Sequence, residues 1–178
     1  MLKIRDGRLS TDSGKVLFNN INIEITQGST HYLSGPNGIG KTTFIRAVLN
    51  LGHRLSNKEQ LFKNYAYLPQ IENKDFLLPI SINDITDSGP LLSPEERKTP
   101  WNVASGGQRK KALLERVLKA DRDFYVLDEP YNHLDSFSIK LINQALSELR
   151  FKGKSILIVS HTIPNIESLV SWDASQWS

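Results

Sequence analysis

Two short runs of the chain, Phe124-Tyr-Val-Leu-Asp128 and Ser155-Ile-Leu-Ile-Val-Ser160, are nearly continuously apolar and stop at polar residues. A strand with one solvated face alternates in polarity. An unbroken run suits a strand buried on both faces, as in a parallel sheet covered by helices. Further apolar or β-branched runs at Val16–Ile25, Thr30–Ser34 and Tyr65–Leu68, bounded by Gly, Asn, Asp or Pro, are predicted strands. Helical periodicity is clearest at residues 107–120, with Ala112, Leu113, Val117 and Leu118 on one side and Arg109, Lys110, Glu115 and Lys119 on the other. It returns at residues 138–149 through Ile139, Leu141, Ile142, Ala145, Leu146 and Leu149. Strands alternating with helices predict an α/β layered architecture.

At 178 residues the chain is sized for one domain, and roughly 70% of its surface can be buried without a staple. Cysteine is absent, which excludes disulfides, thiolate zinc sites, iron–sulfur clusters and cysteine nucleophiles. No apolar run approaches the ~20 residues of a membrane span, so membrane insertion is not expected. The start, Met1-Leu-Lys-Ile-Arg-Asp-Gly7, lacks the apolar core of a signal peptide, and a cytoplasmic protein is predicted. The 22 basic against 19 acidic residues leave a charge of +3, too small to predict direct nucleic-acid binding without a clustered patch. Pro69, Pro79, Pro90, Pro94 and Pro100 crowd the middle of the chain. The expected layout is a core of residues 1–56 and 101–178 with a small lobe at about 57–100, carrying helical turns at 80–85 and 94–98.

Gly35, Pro36, Asn37, Gly38, Ile39, Gly40, Lys41 and Thr42 match G-x-x-x-x-G-K-[ST], after the strand at Thr30–Ser34 and before a predicted helix at residues 42–51. The glycines let the backbone close around phosphates, which the loop N–H groups and the helix N-terminus attract. Lys41 would reach the β- and γ-phosphates, and the Thr42 hydroxyl would take one Mg²⁺ position. The strand Phe124–Asp128 ends in Asp128 and Glu129. Carboxylates fit there if they sit at the carboxyl edge of a parallel sheet, where ligands bind. Asp128 can then hold Mg²⁺ through water and Glu129 can polarise the attacking water.

Ala104-Ser105-Gly106-Gly107-Gln108 lies twenty residues before Asp128 and resembles the signature motif of the ATP-binding cassette (ABC) ATPases. The resemblance runs from Lys15 to His161 with its parts in the family's order. It implies a P-loop NTPase core of ABC type, with an N-terminal antiparallel β subdomain and a small inserted helical lobe. It implies that Ser105, Gly106, Gly107 and Gln108 serve the ATP of a second subunit across a dimer interface, and a Ser-Gly-Gly helix start is physically suited to an anion. Gln70 resembles the Q-loop glutamine, contacting Mg²⁺ and the attacking water. His161 resembles the switch histidine that bonds the γ-phosphate, and Asn132-His-Leu-Asp135 resembles the D-loop, with Asp135 communicating across the dimer. Thr43 completes the nucleotide-binding set. No chemistry is assigned to His133.

The chain also departs from the family. The stretch Leu9-Ser-Thr-Asp-Ser-Gly-Lys15 holds no aromatic to stack on adenine, and nearby Phe18 is expected in the core. Ala104 replaces the usual Leu, and Tyr131 replaces a small residue or Thr after Asp128-Glu129-Pro130. Lys41 to Gln70 is 29 residues and Gln70 to Ser105 is 35, both short, so the lobe is trimmed. Phe76-Leu-Leu-Pro-Ile80 could be a docking patch or the lobe's own core, and residues 78–84 faintly resemble the lobe of metal-ion importers. The Arg109-Lys110-Lys111 run is expected to be a solvated helix face.

The resulting expectation is an ATP-hydrolysing subunit of an ABC transporter, with ATP and Mg²⁺ as cofactors. It would work as a dimer with a second ATPase subunit and dock peripherally on an integral membrane permease. The alternative is a soluble non-transport ABC ATPase acting on ribosomes or nucleic acid, a class that usually carries two cassettes or long insertions. Only 17 residues follow His161, leaving no room for a regulatory domain.

Overall fold

The computed structural model describes residues 1–70 and 79–177. Phe76, Leu77 and Leu78 of the docking-patch expectation lie outside the described residues.

The chain folds as two sheets and a lobe. β1 (Leu2–Ser10) pairs antiparallel with β2 (Val16–Ile25) on one edge and with β4 (Arg54–Leu55) and β5 (Lys58–Gln60) on the other. β3 (Thr30–Ser34), β6 (Tyr65–Leu68), β7 (Phe124–Asp128), β8 (Ser155–Val159) and β9 (Leu169–Asp173) form a wholly parallel sheet in the order β6-β7-β8-β3-β9. Its register sets Leu68 beside Leu127, Asp128 beside Val159 and Leu33 beside Val159, so four strands end together at one carboxyl edge.

The two apolar runs occupy the middle of this sheet, and both faces are buried as their composition requires. Phe124, Val126, Leu157 and Val159 face the antiparallel sheet and α1 (Lys41–Val48), packing with Leu2, Ile4, Phe18, Phe44 and Ile45. Tyr125, Leu127, Ile156 and Ile158 face the opposite layer, α4 (Gly106–Lys119) and α5 (Ser136–Phe151), packing with Leu114, Ile142 and Leu146. Phe18 is a core residue, edge-on to Trp177 with ring centroids 5.3 Å apart.

The last residues are part of this core. β9 pairs with β3, and the 3₁₀ turn Ala174–Gln176 carries Trp177 onto Phe44 as well as Phe18. Ala174 of this segment and Phe18 of β2 close on the glycines that follow β3. A Cβ on Gly35 would lie 3.2 Å from the Ala174 Cβ, and one on Gly40 would lie 3.3 Å from the Phe18 ring. Both glycines also have φ values, 141° and 119°, that side chains rarely adopt.

Within residues 57–100, β5 and β6 belong to the two sheets, so the lobe proper begins after Leu68. It contains α2 (Ile82–Ile85) and α3 (Pro94–Arg97), each started by a serine capping box, at Ser81 and Ser93. Among the described residues its buried apolar cluster is Ile82 and Leu92 with Trp101, Ala104 and Ala112. Ala104, the departure from the family's Leu, is a packing residue under this cluster. Polar groups do the rest. Glu115, assigned by periodicity to the solvated side of its helix, is 2% exposed. Its carboxylate meets the Arg97 guanidinium at 2.8 and 3.0 Å and accepts the Leu91 N–H at 2.7 Å. Arg97 also donates to the carbonyls of Thr86, Gly89 and Leu92. The helix surface that looked polar is therefore the seat of the lobe, because its partner Arg97 arrives from 18 residues away.

Candidate functional site

The carboxyl edge of the parallel sheet gathers residues from four loops. After β3 the chain turns through Gly35 to Gly40 into α1, whose first N–H groups have no intrahelical partner. Lys41 folds back over this loop, its Nζ donating to the carbonyl oxygens of Gly35 at 2.6 Å and Pro36 at 3.0 Å. Pro36, Asn37 and Gly38 are exposed at the tip, and Ile39 and Thr43 are half-buried. The Thr42 hydroxyl donates to Asp128 Oδ2 at 2.8 Å, joining the loop after β3 to the end of β7. Burial raises the Asp128 carboxyl above its usual range, and the Thr42 hydrogen bond works against that rise.

Glu129 follows directly, buried, with φ of 49° and its N–H donated to the Val159 carbonyl at 2.7 Å. A non-glycine residue in that conformation at a strand end is strained and is held by its surroundings. The strand β8 delivers His161 to it: the His161 N–H reaches Glu129 Oε2 at 3.4 Å, and Nε2 lies 3.3 Å from Oε1. Nε2 is also 2.6 Å from Asn37 Oδ1. Both neighbours are acceptors, so Nε2 is the ring nitrogen that carries hydrogen. Asn37, Thr42, Asp128, Glu129 and His161 thus form one connected group. Gln70 is exposed just past the end of β6, on the same edge.

Ser105, Gly106, Gly107 and Gln108 are held apart from this group, at the start of α4. Ser105 Oγ accepts the Gln108 N–H at 3.2 Å while Gln108 Oε1 accepts the Ser105 N–H at 3.0 Å, a reciprocal cap that leaves Ser105 and Gly106 exposed. A Cβ on Gly107 would come within 3.2 Å of the His133 carbonyl, so the turn before α5 abuts this helix start. Asp135 caps α5, accepting the Ser138 N–H and hydroxyl at 2.8 Å each, and pairs with Lys111 at 3.1 Å. Those hydrogen bonds, with Lys111 beside them, hold its carboxyl well below the usual range.

The expectation of a solvated Arg109-Lys110-Lys111 face is corrected. Arg109 donates to the Trp101 and Asn102 carbonyls at 2.9 Å each, and Lys111 pairs with Asp135. Lys110 is 5% exposed and points at the Asp128 carbonyl. Consecutive helix residues face three directions about 100° apart, and here each direction has its own acceptor. Lys110 is the site neighbour that the sequence reading missed. Tyr131 also gains a physical account: it is buried against α5, its hydroxyl donating to Asn143 Oδ1 at 2.7 Å.

A family model described as ABC transporter matches residues 18–132. The chain is 28% identical over 190 residues to the manganese transport system ATP-binding protein MntB of Bacillus subtilis, covering 89% of this chain and 76% of that protein. It is 26% identical over 178 residues to the zinc transport system ATP-binding protein TroB of Treponema pallidum, covering 82% and 67%. A solved ABC-type ATP-binding protein of Pyrococcus furiosus superposes with a TM-score of 0.77 at 20% identity, covering 99% of this chain and 98% of that one, a likeness of fold. With the match spanning more than half its length, the chain belongs to the ABC transporter family.

Proposed function

We propose that this chain hydrolyses ATP to ADP and phosphate to drive a membrane permease, working as a head-to-tail dimer. The observation that carries the reading is the connected group at the sheet edge: Thr42 on Asp128 at 2.8 Å, with His161 on Glu129 and Asn37 beside it. In this reading the backbone N–H groups of residues 37–43 and the Lys41 ammonium bind the phosphates, Lys41 exchanging the Gly35 and Pro36 carbonyls for phosphate oxygens. Mg²⁺ fits the donor set, since a hydroxyl and a carboxylate oxygen 2.8 Å apart are hard ligands, with the Gln70 amide oxygen as a third. Thr42, Asp128 and Gln70 would hold the ion, which would supply positive charge beside the phosphates.

Glu129 orients the attacking water and accepts its proton as the bond from the β–γ bridging oxygen to the γ-phosphorus breaks. His161, with hydrogen on Nε2, donates to the γ-phosphate. Ser105, Gly106, Gly107 and Gln108 complete the site of a second subunit, and Asp135 links the two. The exposure of Ser105 and Gly106 supports this assignment, because a capped helix start bearing glycines is an anion site that its own loop does not fill. The manganese and zinc systems named among its relatives support a divalent transition metal as the cargo class.

Phosphate release by the Glu129→Gln protein tests the reading. Turnover is expected to fall by about 10²–10⁴-fold, with accumulation of an ATP-bound dimer. Undiminished turnover contradicts it. For the transport half, the chain should recover an integral membrane protein from detergent-solubilised membranes; recovery of ribosomes alone would favour the soluble alternative.

A further inference from the structure

Two cations flank the acidic pair at the end of β7. Lys41 approaches from the phosphate loop, and Lys110 approaches from α4, its Nζ 3.4 Å from the Asp128 carbonyl oxygen. Asp128 and Glu129 are both buried, and their charges favour the Lys110 ammonium against the cost of its burial. That cost is several kcal/mol for an isolated ion, and here it is offset by the acidic pair, as Arg97 offsets it for Glu115 farther along α4. The two cations also differ in what they can do. Lys41 is held by two carbonyls of its own loop and is drawn to phosphate under the function proposed above. Lys110 is buried on α4 with its Nζ on the Asp128 carbonyl.

We propose that Lys110 is a positioning residue for Asp128 and Glu129, its fixed buried charge holding the acidic pair in place once Lys41 is committed to phosphate. The inference rests on the ATPase reading. Removing the charge leaves the binding loop intact but makes the edge more negative. Lys110→Met keeps the length of the side chain without its charge, and Lys110→Arg keeps a charge.

The full-length proteins are compared for kcat, KM for ATP, thermal midpoint, and Mn²⁺ binding in the presence of ATP, followed by the paramagnetic signal of free Mn²⁺. For Lys110→Met the expected result is a kcat lowered about tenfold, KM within about threefold, a midpoint equal or higher, and tighter Mn²⁺ binding. Lys110→Arg is expected to regain most of the kcat. Wild-type kcat and Mn²⁺ affinity in Lys110→Met would overturn the proposal. So would parallel losses in both variants with lowered midpoints, which would mark a packing role. A wild-type chain that neither hydrolyses ATP nor binds Mn²⁺ with it defeats the ATPase reading instead.

Discussion

The sheet edge and the lobe solve opposite problems with the same residue types. At the edge, five strands supply an apolar platform and the charged groups stand at its rim, where Asp128, Glu129, Lys41 and His161 meet. Among the described residues of the lobe the buried apolar cluster is small, and a buried Arg97–Glu115 pair lies between α3 and α4. Under the proposed function the edge charges serve the chemistry. Lobe charges belong to the folding of the lobe itself. Substitutions should therefore separate the regions, with edge changes read in turnover and lobe changes read in stability.

The largest stability effect is expected from Arg97→Met, which strands a buried carboxylate and should cost about 3–5 kcal/mol. For a domain this size the thermal midpoint falls by roughly 2–4 °C per kcal/mol. The double variant Arg97→Met/Glu115→Leu should regain most of that loss, as removing both charges leaves neither unpaired. A double variant as unstable as the single one would show that the carbonyl contacts of Arg97, and not the pair, hold the lobe.

A smaller effect straddles the two regions. Burial lowers the Lys110 ammonium to about 8, against 10.5 in its unperturbed state. Below pH 8 both folded and unfolded chains hold the proton, and the burial cost is present in full. Between pH 8 and 10.5 the unfolded chain binds more protons, so this group makes stability rise with pH, by about 3 kcal/mol over the whole window. Urea unfolding of wild type and Lys110→Met from pH 7.5 to 9.5 checks it: the advantage of the apolar variant should shrink as pH rises. A constant difference would mean the ammonium is better hydrated than its burial implies.

The smallest effect concerns the base. Phe18 is locked in the core against Trp177, and the turn before β2 carries no aromatic. GTP is therefore expected to support turnover within about threefold of ATP in kcat/KM. A strong preference for ATP would point to recognition of the base by another side chain.

What could be read from the sequence divides along the same line. The edge was legible because the glycine-rich loop and the acidic pair stand at strand ends, and because strands buried on both faces leave continuous apolar runs. β1 was missed for a local reason. Its inward residues run Leu2, Ile4, then Gly7 and Leu9, and an irregularity between Ile4 and Gly7, with Asp6 at φ 49°, breaks the alternation that marks a strand. β9 is an edge strand with exposed or half-exposed side chains and no period, so it was not among the predicted strands; Trp177 beyond it packs in the core. Glu115 and Lys110 were misplaced because helical periodicity assumes that charges face water. Their partners, Arg97 and the Asp128–Glu129 pair, are distant in sequence and only the fold supplies them.

The central claim is that each chain carries half of two sites, loop and acids for one, signature for the other. Mixing two disabled proteins tests it most directly. Lys41→Ala removes the phosphate lysine and Ser105→Arg blocks the signature, so each alone should be nearly inactive. In an equal mixture half the dimers pair one intact loop with one intact signature, and turnover should recover to at most roughly a quarter of wild type. A mixture that stays as inactive as its components would contradict the shared site.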